Sequence, residues 1–162
     1  MTKGGERGRG EPPSRPVATN RRARYDFEVL ETYEVGLELA GSEVKSLRAG
    51  NVSLSDAYAQ PRGRELYLVN CRIGEYAPAA FFGHLPLRER RLLLHREELD
   101  RILGKVEQRG YALVPLSLYF KAGWAKVELA LGRGRKHEDR RDTIKERETQ
   151  REMDRALSRR RR

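Results

Sequence analysis

Two stretches near the end of the central region alternate apolar and polar residues on either side of a turn-forming pair. The apolar positions are Ala112, Val114, Leu116, Leu118 and Phe120 in the first stretch, and Ala125, Val127, Leu129 and Leu131 in the second. A period of two is the side-chain period of a β-strand, and Ala122 and Gly123 suit a tight turn. The pattern predicts an antiparallel hairpin with one apolar face, which other elements must cover.

Further strands are predicted upstream of this hairpin. Residues 25–39 alternate in the same way, with a bend near Leu30, and predict a long strand. Residues 56–60 and 65–73 predict a second hairpin, joined by a four-residue turn at 61–64. These segments give about six strands in all.

Two short helices are predicted between the strands. The first begins with Ser42 as its N-cap and ends at Gly50 or Asn51. The second has apolar residues at i, i+3, i+4 and i+7, with His95 close to its start; these residues are Leu99, Ile102, Leu103 and Val106. Strands that are apolar on one face must close around a shared core. We therefore expect a mainly β fold with some α, a small antiparallel barrel of the oligonucleotide-binding (OB) type with flanking short helices.

Charge divides the chain into three parts. Residues 1–24 hold seven Lys or Arg and two Asp or Glu, and residues 133–162 hold thirteen and seven. Residues 25–132 are close to neutral, with fourteen basic and fifteen acidic residues. We expect a flexible basic arm at 1–19, a barrel domain at 20–132 and a basic tail at 133–162. Cationic ends on a neutral body favour a polyanionic partner such as RNA.

Several other classes of protein fit poorly. Cys71 is the only cysteine, so an internal disulfide is impossible and a reducing cytoplasm is expected. No apolar run is long enough to span a bilayer, and the charged ends lack the apolar face of a membrane-surface helix, so no membrane partner is expected. His84, His95 and His137 have no second ligand at metal spacing. We expect no metal, no cofactor and no enzymatic activity.

The basic tail has a regular charge pattern. Arginines spaced three or four apart would form one positive stripe on a helix; they are Arg147, Arg151, Arg155, Arg159 and Arg162. The segment has no apolar seam to hold a helix in water. We expect it to be disordered in the free protein and helical in a polyanionic groove, although a solvated, solubilising tail is the alternative interpretation. In the arm, Arg7-Gly8-Arg9-Gly10 has the pattern of an RNA-binding RG segment, and a solvated leader is the alternative interpretation.

Six motifs follow one another in a fixed order along the chain. They are NRRARYDF (20–27), YEVGLELAGSEVKSLRAG (33–50), LSDAY (54–58), RRLLLHREELD (90–100), GYALVPLSLYFKAGWAKV (110–127) and IKERE (144–148). Together they resemble the small protein B family, the SsrA (tmRNA)-binding proteins of bacterial trans-translation, and the similarity runs from about Asn20 to Glu148.

The resemblance implies a fold and a function. It implies an OB-type barrel that binds the tRNA-like domain of tmRNA and helps it into the A site on the small subunit of stalled ribosomes. The tail would become helical along the empty mRNA channel past the decoding centre, and so sense that the channel is empty. We expect a cytoplasmic monomer.

The resemblance also assigns residues by motif. Four match family positions on the tmRNA-binding face, namely Asn20, Glu34, Leu93 and Lys126, and the neighbouring Arg21, Arg22 and Arg24 are expected to contact the RNA backbone. From the sequence, Glu34 is equally an ordinary polar strand residue and Leu93 equally a core leucine.

The tail residues expected to contact the ribosome are Arg135, Lys136, His137, Asp139, Arg140, Arg141, Ile144, Lys145, Arg147 and Arg151. Glu138 departs from the family, which usually has His or Tyr there, and its role stays open. A generic basic ribosomal protein or RNA chaperone explains the composition equally well but not the motifs. An RNA-processing enzyme has no support in the sequence.

Overall fold

A computed structural model of the chain describes residues 15–76, 83–107, 110–135 and 137–160, without the side chains of 137–140 and 160. The strands in these ranges are β1 (Ala18–Thr19), β2 (Phe27–Leu37), β3 (Val52–Ser53), β4 (Tyr58–Arg62), β5 (Glu65–Val69), β6 (Arg72–Ile73), β7 (Arg90–Leu93), β8 (Tyr111–Lys121) and β9 (Trp124–Gly134). The helices are α1 (Ala23–Asp26), α2 (Gly41–Arg48), α3 (Arg96–Val106) and α4 (His137–Arg160). No helix in these ranges is both long and apolar enough to cross a membrane.

Six of the strands close into a ring. Their order is β8-β4-β5-β7-β2-β9, and β9 pairs again with β8. Every pair is antiparallel, and β1 adds to the outside edge of β8 through Thr19 and Ser117. Closure leaves no free edge along the ring. The expected small antiparallel barrel of OB type is confirmed, and its paired strands run from Ala18 to Gly134, two residues beyond each predicted boundary.

The β8–β9 hairpin has the predicted turn. Ala122 and Gly123 both have positive φ, 50° and 79°, as the two central residues of a type I′ turn require. The upstream hairpin differs from its prediction because Arg62 pairs with Glu65, which leaves a two-residue turn. Gly63 has a φ of 60° and makes this tight turn possible, so the predicted four-residue connection is wrong.

Two bulges divide the apolar pattern between two cores. The register shifts between Val29 and Glu31 on β2 and between Pro115 and Ser117 on β8. Each extra residue reverses which face the following side chains point to. The main core lies inside the barrel and includes Val35, Leu37, Leu118, Val127 and Leu129. A second, smaller core lies outside the barrel and contains Ala23, Val114, Leu116 and Ala130, with Phe27 and Val29 against it.

This arrangement corrects the prediction that each strand has a single apolar face. Val114 and Leu118 fit one alternating pattern in the sequence, yet they belong to different cores. Helix α1 covers the part of the outer sheet surface that carries Val114 and Leu116. The rest of that surface is not covered by α1. Gly132 permits this packing, because a Cβ there would lie 3.0 Å from the Phe27 Cβ.

Helix α2 is fixed to the barrel by a buried ion pair. Arg90 and Glu43 are both fully buried and hydrogen-bonded to each other, and Arg90 Nη1 donates to the Cys71 carbonyl at 2.7 Å. Glu43 also accepts from the Ala40 N–H at 2.9 Å, so it caps its own helix by reaching back one turn. The prediction that Ser42 is the N-cap is therefore wrong: Ala40 holds that position, and Gly50, at a φ of 76°, follows the end of the helix as predicted.

Candidate nucleic-acid interface

The uncovered part of the outer sheet surface brings three of the predicted site residues together. Glu34 and Gly36 on β2 pair with Glu128 and Lys126 on β9, and Leu93 on β7 pairs with Gly36. Their neighbours in sequence point into the barrel core, so these side chains point outward. We call this surface the polar face; it consists of Glu34, Gly36, Leu93, Ser117, Tyr119, Lys121, Lys126 and Glu128.

Glu34 is held in place by two side chains on β8. The Tyr119 hydroxyl donates to Glu34 Oε2 at 2.5 Å, and Lys121 Nζ donates to Oε1 at 3.1 Å. The hydrogen bond from Tyr119, followed by those from Lys121, holds the pKa of the Glu34 carboxyl below its ordinary value. Burial of Tyr119 and its bond to Glu34 raise the pKa of the tyrosine. Glu34 is therefore an ionised, oriented acceptor at neutral pH.

Leu93 lies on the outside of the barrel. Its side chain is 43% exposed, which excludes the core-leucine interpretation, while its neighbour Leu92 is buried in the barrel. Gly36 provides the space beneath it, because a Cβ at that position would lie 3.1 Å from the Leu93 Cβ. Lys126 lies on β9, opposite Gly36, and is close enough to Glu34 to lower the pKa of that carboxyl. The polar face thus combines an oriented anion, a cation and an exposed apolar group.

Asn20 lies beside the polar face but its side chain is buried. Its Nδ2 donates to the Leu54 carbonyl at 3.1 Å, and its Oδ1 accepts from the Ala23 N–H at 3.2 Å. Its backbone N–H donates to the Leu116 carbonyl at 2.7 Å, which fixes the turn after β1 against β8. The side-chain amide of Asn20 is therefore hydrogen-bonded within the protein, just before α1.

The three predicted arginines follow directly from this turn. Arg21, Arg22 and Arg24 are all exposed. Arg22 has an ion-pair partner in Asp26, at 3.4 Å. These cations therefore project from one edge of the sheet surface, next to the strand β1 that borders the polar face.

The tail begins at the same edge. The Arg135 N–H donates to the Asp26 carbonyl at 2.9 Å, and its Nη1 donates to Thr143 Oγ1 at 3.0 Å. From residue 137 the chain forms the helix α4, on which the predicted ribosome contacts Arg141, Ile144, Lys145, Arg147 and Arg151 are exposed. Lys136 and the side chains of His137, Asp139 and Arg140 lie outside the described part of the chain, as does that of Glu138.

Sequence reasoning missed the residues that orient Glu34. In the sequence, Tyr119 and Lys121 look like ordinary strand positions, yet both bind the Glu34 carboxylate across two strand pairings. Ser117 and Glu128 form a further outward pair, with Ser117 Oγ donating to Glu128 Oε2 at 3.1 Å. The only available signal was the outward parity of these positions in the β8–β9 hairpin.

A closed antiparallel barrel whose outer sheet surface presents polar groups beside an arginine cluster defines a nucleic-acid-binding protein of the OB class. No group of three His, Cys, Asp or Glu side chains in the described ranges could hold a metal ion. A sequence model of the family described as SmpB protein matches residues 17–159. The chain belongs to the SmpB family.

Individual relatives agree with this assignment. An SsrA-binding protein of Anaeromyxobacter sp. (strain Fw109-5) is 70% identical over 159 residues, covering 98% of this chain and 96% of the relative. The SsrA-binding protein of Myxococcus xanthus is 61% identical over 162 residues, covering 99% of this chain and all of the relative.

A solved structure shares the fold. It is described as "tmRNA-SmpB: a journey to the center of the bacterial ribosome", and the matching chain is 47% identical with a TM-score of 0.63. The match covers 83% of this chain and 95% of that one.

Proposed function

We propose that this protein is an RNA-binding adaptor that binds the tRNA-like domain of tmRNA and delivers it to stalled ribosomes for trans-translation. The observation that supports this most directly is the polar face, where Glu34, Leu93 and Lys126 lie on three adjacent strands. Residues far apart in the sequence meet there in a chain whose relatives are SsrA-binding proteins. The protein works as a cytoplasmic monomer without a cofactor.

The side chains of the polar face suit RNA in complementary ways. Glu34 accepts hydrogen bonds from a base amino group or a 2′-OH, which are the donors that an RNA surface offers. Its own bonds to Tyr119 and Lys121 fix the carboxylate before RNA arrives. Lys126 neutralises a nearby phosphate, and Leu93 packs against an exposed base. The acidic residue therefore contributes specificity rather than attraction.

The arginine cluster supplies affinity. Arg21, Arg22 and Arg24 contact phosphates at the edge of the same surface, and each such contact releases counterions. Asn20 acts indirectly: its buried amide holds the turn from which these arginines project. Binding should weaken steeply as salt rises.

The tail has a separate role on the ribosome. The structure describes the tail as the helix α4, but we propose that this helix is not maintained in the free protein, because its side chains are exposed and it has little apolar surface with which to offset the entropy of ordering. In the empty mRNA channel, ribosomal RNA neutralises its arginines and the helix forms, spanning about 36 Å over 24 residues. The tail in this way senses that no message occupies the channel.

The test of RNA recognition compares two RNAs of equal length. In moderate salt, the protein should bind tmRNA tightly and saturably, and an unrelated folded RNA much more weakly. Equal affinities would refute the adaptor function. Constant presence on all translating ribosomes would favour a general ribosomal protein instead.

A truncation separates the two roles. β9 pairs with β2 as far as Gly134, and the Arg135 N–H bonds to Asp26, so a chain ending at Arg135 keeps the strand pairings of the barrel and loses only contacts made by α4. This chain should bind tmRNA as the full protein does but fail to support peptide tagging on stalled ribosomes. Full tagging by the truncated chain would show that the tail has no such role.

A further inference from the structure

Trp124 is exposed in a way that the fold does not explain. It is the only tryptophan in the chain, and 72% of its side chain is accessible to solvent. It lies directly after the turn of the β8–β9 hairpin, where Lys121 is its cross-strand partner. Tryptophan is among the largest apolar side chains, and leaving it in water forgoes its burial.

The position of Trp124 continues the polar face. On β9, Trp124, Lys126 and Glu128 alternate with the core residues Ala125 and Val127, so all three point outward. Trp124 therefore extends the surface of Glu34, Lys126 and Leu93 towards the tip of the hairpin.

Two lysines flank Trp124. Lys121, whose ammonium group binds Glu34, lies opposite Trp124 in the register, and Lys126 follows two residues later on the same face. An exposed aromatic ring flanked by lysines is the combination on which single-stranded nucleic acids stack, because the ring contacts the base while the ammonium groups neutralise the backbone. The turn also restrains the backbone at Trp124, because the two preceding residues, Ala122 and Gly123, adopt left-handed conformations.

We propose that Trp124 stacks on an unpaired base of the RNA that binds the polar face. This inference rests on the proposed function and adds a specific contact to it. Stacking is tolerant of base identity, so Trp124 supplies affinity and register at the edge of the interface, while Glu34 supplies hydrogen-bond specificity.

Because Trp124 is the only tryptophan, its fluorescence reports on the surroundings of this one side chain. Titration of the full-length protein with tmRNA should quench the emission strongly and saturably. A fully base-paired duplex of similar length, which offers phosphates but no unpaired base, should quench much less at equal occupancy. Equal quenching by the duplex, or none by tmRNA at saturation, would overturn the proposal.

Substitutions provide the second readout. Trp124→Ala should weaken tmRNA binding roughly fivefold to 140-fold, the range for loss of one base–aromatic stack. Trp124→Phe, which keeps a smaller ring, should lose less. The matched control is Leu85→Ala, which removes a comparably exposed apolar side chain, 76% accessible, outside the polar face and should bind as the wild type does.

The two proposals fail in different ways. If wild-type protein does not discriminate tmRNA from an unrelated RNA, the proposed function fails. If wild type discriminates but Trp124→Ala binds within twofold of it, with an unchanged circular-dichroism spectrum, only the stacking contact fails. Quenching by ribosomal particles but not by tmRNA would likewise overturn the assignment to this RNA.

Discussion

Replacing Arg90 by methionine should destabilise the protein far more than replacing its neighbour Arg88. Both arginines bind the carboxylate of Glu43, but Arg90 is fully buried and the Arg88 side chain is 41% exposed. Arg90 also donates to the Cys71 carbonyl at 2.7 Å and to the Pro86 carbonyl at 3.2 Å. The two substitutions therefore each remove a partner of the Glu43 carboxylate, one buried and one partly exposed.

The expected magnitudes follow from what each substitution leaves behind. In Arg90→Met the buried Glu43 carboxylate loses a charged partner and the Cys71 carbonyl loses its donor, and breaking a buried ion pair in this way costs about 3–5 kcal/mol. Arg88→Ala leaves Glu43 bound to Arg90 and to the Ala40 N–H, so its cost should be at most about 1 kcal/mol.

Urea unfolding followed by far-ultraviolet circular dichroism measures both free energies of unfolding. If Arg90→Met does not fold, Arg90→Lys supplies an intermediate case, because it keeps the charge but cannot make all of the guanidinium bonds. Losses for the Arg90 and Arg88 variants within about 0.5 kcal/mol of each other would refute the reasoning.

Three further predictions concern other parts of the molecule. Tyr119→Phe should raise the pKa of Glu34 towards its ordinary value, since the hydroxyl hydrogen bond is the largest cause of its lowering; an unchanged carboxyl titration by NMR would contradict this. Gly104→Ala, at an exposed position of α3 with open space around it, should stabilise the fold by about 0.5–1 kcal/mol because alanine favours helix. Gly123→Ala, at a φ of 79°, should destabilise the fold by about 1–2 kcal/mol because alanine disfavours the left-handed conformation. A lower melting temperature for Gly104→Ala than for Gly123→Ala would refute this reasoning. The folded-state pKa of Glu43 is lowered, so its stabilisation is complete above its ordinary pKa and is lost as pH falls through the lower folded value; Glu43→Gln should flatten acid unfolding.

The lowered pKa of Glu43 is the net result of opposing effects. Burial alone raises its pKa, but hydrogen bonds from the Ala40 N–H, Arg88 and Arg90 outweigh burial. At the buried Cys71 thiol the balance is the reverse: burial raises its pKa to about 11, and the charge of Arg90 opposes this only in part.

The candidate site was predicted in part. Motif resemblance assigned Glu34, Leu93 and Lys126, and the strand register brings these three residues together on one face. It did not find Tyr119 and Lys121, which orient Glu34, because a contact across two strand pairings leaves no local pattern in the sequence. Nor could it show that the Asn20 amide is engaged within the protein.

Elements with a local signal could be read directly from the order of residues. Alternation and the Ala122-Gly123 turn predict the last hairpin, and the 3.6-residue period predicts α3. Each depends on neighbours within a few positions, where side-chain period and backbone preference act directly.

Which apolar residues share a core depends on contacts between distant parts of the chain. Val114 and Leu118 follow one unbroken alternation, but a bulge on β8 sends the first beneath α1 and the second into the barrel. The β2 bulge separates Val29 from Val35 in the same way. One inserted residue reverses the face of a strand at little local cost, so the choice between faces is made by the strands and helix that close over them.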